Sequence, residues 1–219
     1  MSLDLNYKNM FKIENFYFQN CSTSRIEKMI LQYEIFKLAS RVKGDIAEFG
    51  VFKGISFLRL AIFKKMLCKN KNLFGFDTFD QFPIAKNRKD QKQRLKFIKE
   101  AGSKSIAVSS LKKILKKKNC YHKITLVKGN IFKTLPKFIS KNKKKKYSLI
   151  NLDLDLYEPT KFVLENIFSK ISKKGYLILD NYKSFFGETK AVDEFCRKNL
   201  IKVKKKILLN KPIYFLQKK

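Results

Sequence analysis

The stretch Leu149-Ile-Asn-Leu-Asp-Leu-Asp-Leu-Tyr-Glu-Pro-Thr160 constrains the fold of this chain more than any other. It opens as a near-continuous apolar run, the pattern of a strand buried on both faces of a parallel sheet. On such a strand Asp153 and Asp155, two residues apart, point to the same face. Pro159 is expected to stop the ladder, and Thr160 to cap a helix over 161–170. Two carboxylates on a central strand are costly to bury unless something pairs with them. Either they are solvated at the strand mouth or hydrogen-bonded to the next helix, or they form a hard-cation site, because carboxylates suit Mg²⁺. A second acidic strand end, Leu179-Asp180-Asn181-Tyr182, favours the cation.

Earlier in the chain, Gly44-Asp-Ile-Ala-Glu-Phe-Gly-Val-Phe-Lys-Gly-Ile-Ser56 reads as a short strand over 46–49, a turn holding Gly50 and Gly54, and a helix over 57–67. Such a turn lets a nucleotide-like ligand approach backbone and helix N-terminus, or it is simply a tight structural turn. The spacing is not Gly-x-Gly-x-x-Gly, and no Gly-Lys-Ser/Thr follows, so neither a dinucleotide fingerprint nor a P-loop is present. Glu48 before the first glycine is more typical of S-adenosylmethionine (SAM) sites, where an acid serves the amino-acid end. The second strand, 72–77, ends in Asp77, placed to accept ribose hydroxyls or, with Thr78, to cap a helix. Strand three, 123–128, leads through Gly129 to Asn130, placed to read an adenine, and to a helix over 134–140.

The remaining segments fill in a βα repeat. Ser24-Arg-Ile-Glu27 is a capping-box pattern opening a helix from about 24 to 41. Residues up to Cys21 show no clear period and could be an arm that packs on a neighbour or covers a site. The charged stretch 81–105 is long for a connection and is expected to be a mobile lid. Leu111, Ile114 and Leu115 mark an amphipathic helix. Lys173-Lys-Gly175 closes the helix after the central acids, strand five covers 176–180, and a helix covers 187–199. Segments 202–209 and 212–217 form a terminal strand pair, giving a mostly parallel sheet with one antiparallel strand.

Composition narrows the class. The 219 residues fit one α/β domain with an N-terminal extension, and no apolar run reaches the roughly 18 residues of a membrane span. The polar N-terminus, with Asp4 and Glu14, does not read as a secretion signal. Cys21, Cys68, Cys120 and Cys196 lack Cys-x-x-Cys spacing and read as free thiols in a reducing cytoplasm. The formal charge of +32 could track phosphates, but Lys is spread along nearly every segment among Asn, Ile and Phe, and Arg is scarce. That distribution argues for a solvated basic surface and against nucleic acid as the partner. The run 143–146 lies at the far end of strand four and reads as solvated loop, and His122 as a surface histidine.

Together these pieces resemble the macrocin O-methyltransferase family (TylF/MycF/NovP type), from about Gly44 to Asn199. The resemblance rests on Gly44-Asp-Ile-Ala-Glu-Phe-Gly-Val-x-x-Gly54, Phe76-Asp-Thr-Phe79 with Pro83, and Asp153-x-Asp-Leu-Tyr-Glu-x-Thr160. It continues through Gly175-Tyr-x-Ile-x-Asp180, Tyr182 and Gly187-Glu-x-Lys-Ala-Val-Asp-Glu-Phe195. It implies a Rossmann-like class I methyltransferase: a mostly parallel seven-stranded sheet, one antiparallel strand in a C-terminal hairpin, and helices on both faces. An arm and helix over 1–43 would precede a SAM-dependent domain over 44–219. It also implies Mg²⁺-assisted methylation of a sugar hydroxyl on a small molecule or glycan, by a homodimer. By position, Asp153, Asp180 and Asn181 would hold the metal, Asp155 would be the general base, and Glu48, Gly50, Gly54, Asp77 and Asn130 would line the SAM pocket. Asn181 stands where the family usually has a second consecutive Asp, Gln81 replaces a usual glycine, and the acceptor loops show no match.

Overall fold

The computed structural model describes residues 7–219, so the first six residues of the expected arm, Asp4 among them, lie outside the described residues. A seven-stranded sheet in the order β3-β2-β1-β4-β5-β7-β6 forms the centre. Its strands are β1 (Asp45–Phe49), β2 (Leu73–Asp77), β3 (Ile124–Lys128), β4 (Tyr147–Leu152), β5 (Ile171–Leu179), β6 (Lys204–Lys206) and β7 (Ile213–Gln217). The first five pair in parallel, and β7 runs antiparallel to both neighbours. The fold is thus the expected class I arrangement, with the antiparallel strand in the terminal hairpin.

Helices α1 (Tyr7–Asn20), α2 (Thr23–Ser40), α3 (Ile55–Leu67), α4 (Arg88–Ala101), α5 (Val108–Lys117), α6 (Ile131–Lys141), α7 (Tyr157–Ile167) and α8 (Phe186–Lys198) complete the chain. Both faces of the central strands are covered, which is why their sequences read as unbroken apolar runs. Leu149 and Ile178 join one core with Ile35, Phe36, Phe57 and Leu111. Ile150, Leu152, Leu177 and Leu179 join the opposite core with Val163, Leu164, Val192 and Phe195. The chain runs outward from β1 to β3, then returns to β4 on the other side of β1. That reversal leaves a crevice at the carboxyl ends of β1 and β4, where open α/β sheets place their ligands.

Several local expectations are corrected. The segment before Cys21 is helix α1, whose Phe11, Phe16 and Phe18 are exposed. The stretch 81–105 is not structureless: Gln81 bridges to Lys104, and α4 lies between them, N-capped by Asn87. Ser22, not Ser24, precedes α2, and it makes no side-chain cap. Glu27 instead accepts the backbone N–H groups of Asn210 and Lys211, tying α2 to the terminal hairpin. Helix α7 starts at Tyr157, so Pro159 sits in its first turn, where its missing N–H costs nothing, and Thr160 is buried inside the helix. Strand β5 begins at Ile171, so Gly175 lies within a strand and does not end a helix. His122 is exposed, as expected, and the four cysteines are free. Within the run 143–146, Lys145 is not purely solvated, because it pairs with Asp45 at 2.9 Å.

Candidate active site

A cleft of about 730 Å³ opens at the carboxyl ends of the parallel strands, a size suited to a small-molecule ligand. Its floor is the turn after β1. Gly50, at φ +90°, leaves the strand where a side chain would collide with the Asp153 carbonyl oxygen, 1.7 Å from an added Cβ. Only glycine allows β1 and β4 to close together there. Gly54, also left-handed, then opens α3.

Asp77 and Asn130 both line the cleft. The Asp77 carboxylate caps no helix. One oxygen accepts the N–H groups of Val51 and Phe52 at 2.9 Å each, and the other accepts Phe79 N–H at 2.6 Å. It therefore holds the glycine turn against the exit of β2. Asn130 N-caps α6 through its side-chain oxygen, bonded to Phe132 N–H at 3.0 Å. Glu48 is placed differently from expectation. It is fully buried behind the cleft wall, accepting hydrogen bonds from the Ser56 hydroxyl and, at 3.1 Å, from the Asn151 amide. Burial pushes its carboxyl up to about 8, against the pull of those two donors, with Asp180 and Asp77 adding to the rise. Neutral Glu48 buttresses the turn and does not face the cleft.

At the other end of the cleft the acids converge, but not along one strand face. β4 ends at Leu152. Asp155 lies beyond it with φ +59°, inside a tight turn closed by Leu156 N–H on Leu154 C=O at 2.5 Å. Aspartate tolerates this left-handed conformation better than most residues. Its carboxyl is thereby brought beside Asp153. The Asn181 amide nitrogen joins the two, at 2.6 Å from Asp153 Oδ1 and 2.5 Å from Asp155 Oδ1. Glu188, buried on α8, accepts Asn181 N–H at 2.9 Å. Burial and the neighbouring acids raise Asp153 and Glu188 well above the ordinary carboxylate range. Burial and then Asp180 push Asp155 up to about 7 although Lys28 draws it down.

Sequence reasoning missed Lys28, whose ammonium lies 2.6 Å from Asp180 Oδ2. Burial alone would lower its pKa, but Asp180 and Asp153 outweigh that and hold it above the ordinary value. The available signal was a lysine heading the buried stripe Leu31, Gln32, Ile35 on α2. Also missed were Glu188 and Asp90. The latter, buried on α4, accepts Tyr157 N–H at 2.8 Å and so caps α7 from α4. Arg94 binds the carbonyls of Phe82 and Pro83, and Phe97 of α4 meets the rings of Phe52, Phe82 and Phe185 in tilted or edge-on contacts.

The expected metal set does not fit this arrangement. Asn181 turns its N–H group, not its oxygen, toward Asp153 and Asp155, and Lys28 holds an oxygen of Asp180. Among the described residues no three histidine, cysteine, aspartate or glutamate side chains are grouped to hold a metal ion. A SAM-sized ligand does fit, because the side-chain-free backbone at Gly50 and the walls at Asp77 and Asn130 form one continuous cleft.

The family model for macrocin-O-methyltransferase (TylF) matches residues 24–215. Among solved structures, the calicheamicin methyltransferase CalS11 aligns with a TM-score of 0.77 at 24% identity, over 95% of this chain and 85% of its own. Its apo form, described as a TDP-rhamnose 3'-O-methyltransferase, gives 0.66 at 21%, over 99% and 88%. The O-methyltransferase NovP gives 0.73 at 20%, over 89% and 81%. TomG from Streptomyces achromogenes, an O-methyltransferase of tomaymycin synthesis in complex with SAM, gives 0.58 at 12%, over 88% and 80%. At these identities the structures establish the fold. No curated protein matches the chain.

Proposed function

The chain belongs to the macrocin-O-methyltransferase (TylF) family, SAM-dependent O-methyltransferases, and from that premise we propose that its acceptor is a sugar hydroxyl. The sugar would be part of a glycoside, a nucleotide sugar or a polysaccharide precursor; the description of CalS11 names a nucleotide sugar, TDP-rhamnose. One observation carries the reading: Asp155, a buried carboxylate with a pKa of about 7, lies on the wall of a cleft that runs to the glycine turn. SAM, when bound, supplies a methyl group on a positively charged sulfur that leaves with the bonding electrons. Gly50, Gly54, Asp77 and Asn130 would hold it, with Glu48 stiffening the turn from behind.

At the acceptor end, Asp155 takes the hydroxyl proton as the oxygen attacks. A base poised near neutrality is ionised often enough to act yet basic enough to draw the proton. Asn181, bonded to both Asp153 and Asp155, fixes the carboxyl's orientation. Helix α4 and the phenylalanines beneath it screen the cleft from water, which strengthens the charges inside. No step is assigned to Mg²⁺, because Asn181 offers the acids its amide nitrogen and Lys28 already holds one oxygen of Asp180.

The surrounding picture is also proposed: a cytoplasmic homodimer using the exposed aromatics of α1, with an arm and helix over 1–43 preceding a catalytic unit over 44–219. The basic surface is taken as solvated, with no nucleic-acid partner. Among the described residues no helix is long and apolar enough to cross a membrane.

Calorimetry with SAM, followed by mass spectrometry of a panel of nucleotide sugars and glycosides, tests the function. SAM binding and a methylated sugar are expected. Failure to bind SAM would sink the reading, and methylation confined to RNA would replace the acceptor class.

A further inference from the structure

We propose that the Lys28 ammonium is the resident cation of the acid cluster and stabilises the acceptor oxygen in place of a divalent ion. Lys28 comes from α2, far in sequence from the strand ends, and crosses to Asp180 with a separation of 2.6 Å. The Asp180 side chain is 5% exposed and that of Lys28 26%, so the pair is weakly screened by solvent. Drawing an ammonium to such depth is costly unless an anion waits there.

On the far side of the cluster Asn181 does the complementary task. Its amide nitrogen lies between the oxygens of Asp153 and Asp155, so these acids are cross-linked without any ion. A divalent cation held by the expected set would need the opposite end of the amide and would have to share Asp180 with the Lys28 charge already on it. Two buried oxygens of the cluster remain unpartnered, Asp180 Oδ1 and Glu188 Oε2, and Asp180 and Lys28 both lie on the cleft wall.

An ammonium has three protons, and one serves Asp180. The others are available to an oxygen in the cleft as negative charge grows on it during attack. The acceptor's proton goes to Asp155, the oxygen's electron pair forms the bond to the methyl carbon, and Lys28 keeps all its protons. Its contribution is charge and hydrogen bonding alone.

The role given to Lys28 rests on the cleft being a methyl-transfer site, yet its test needs no acceptor. Mn²⁺ is titrated into the protein while the free-ion electron paramagnetic resonance signal and the melting temperature are recorded. The wild type is expected to leave the signal intact and its melting temperature unchanged. Lys28→Met combined with Asn181→Asp should gain Mn²⁺ affinity by roughly 10- to 100-fold. That variant should also be restabilised by the ion, a response a merely structural lysine would not produce. Lys28→Arg, which keeps the charge, should remain indifferent to Mn²⁺. Wild-type binding of Mn²⁺ that disappears in Asp180→Asn overturns the proposal, and this decides the matter even if the double variant does not fold. A double variant that folds but gains no affinity also overturns it. Absence of SAM binding, by contrast, would condemn the methyl-transfer reading itself.

Discussion

Glu48 and Asp155 are both carboxyl groups displaced toward neutrality by burial, but they have different consequences. In the fold Glu48 keeps its proton up to about pH 8, whereas at its ordinary value of 4.5 it would release it. Between those limits the folded chain binds more protons than the unfolded one, so this group's contribution to stability falls as pH rises. Glu48→Gln is uncharged throughout and can still accept from Ser56. It should flatten that slope and stabilise the protein at pH 8 to 9 by on the order of a few kcal/mol, as read from urea unfolding at several pH values. Asp155 must be ionised to accept a proton, so the rate should climb through about pH 7 and then level off. Asp155→Asn should lower turnover by about 10²–10⁴-fold, abolish that acid limb and leave SAM binding intact. A variant retaining the limb would move the base elsewhere.

Among the elements, α4 combines the ring contacts of Phe97 with several polar attachments. Asp90 caps α7, and Gln93 bridges Ser184 C=O and Phe186 N–H. Asp90→Ala should cost about 1–3 kcal/mol, because Tyr157 N–H loses its acceptor. Hydrogen exchange should then quicken in α4 and the first turn of α7, while β1 and β4 stay protected. Hydrophobic periodicity could not reveal α4, since few of its residues are apolar and its anchors are Asp90, Arg94 and Gln93. Helix α1 escaped for the converse reason: Met10, Phe11, Ile13, Phe16, Tyr17 and Phe18 are all exposed, so no single buried face imposes a period. Where one face is buried, as in α5 with Leu111 and Leu115, the period alone located the helix. The start of α7 was misplaced because Pro159 stops a strand and also fits the first turn of a helix, and local sequence does not choose between them.

At the scale of the whole molecule, the reversal of strand order between β1 and β4 makes the site, and Gly50 is the residue on which that closure depends. Gly50→Ala should cost more than about 4 kcal/mol, seen as loss of soluble protein or collapse of the melting temperature, because β1 and the segment after β4 cannot otherwise meet. Removing residues 1–20 should leave the melting temperature nearly unchanged and, if α1 forms the dimer, yield a monomer by light scattering. A truncated chain that remains dimeric would place the interface elsewhere. The sequence by itself determined the order of the strands and of the helices other than α1 and α4, the double burial of the central strands and the strand ends carrying acids. Those follow from apolar runs, glycine positions and short-range spacing. Only the tertiary structure decided which partners those acids have. Lys28 reaches Asp180 across 152 positions of chain, Asn181 turns its nitrogen toward Asp153 and Asp155, and Glu48 withdraws behind the wall. Such pairings depend on where separate elements come to rest and on the charge each side chain meets there, and no local pattern encodes them.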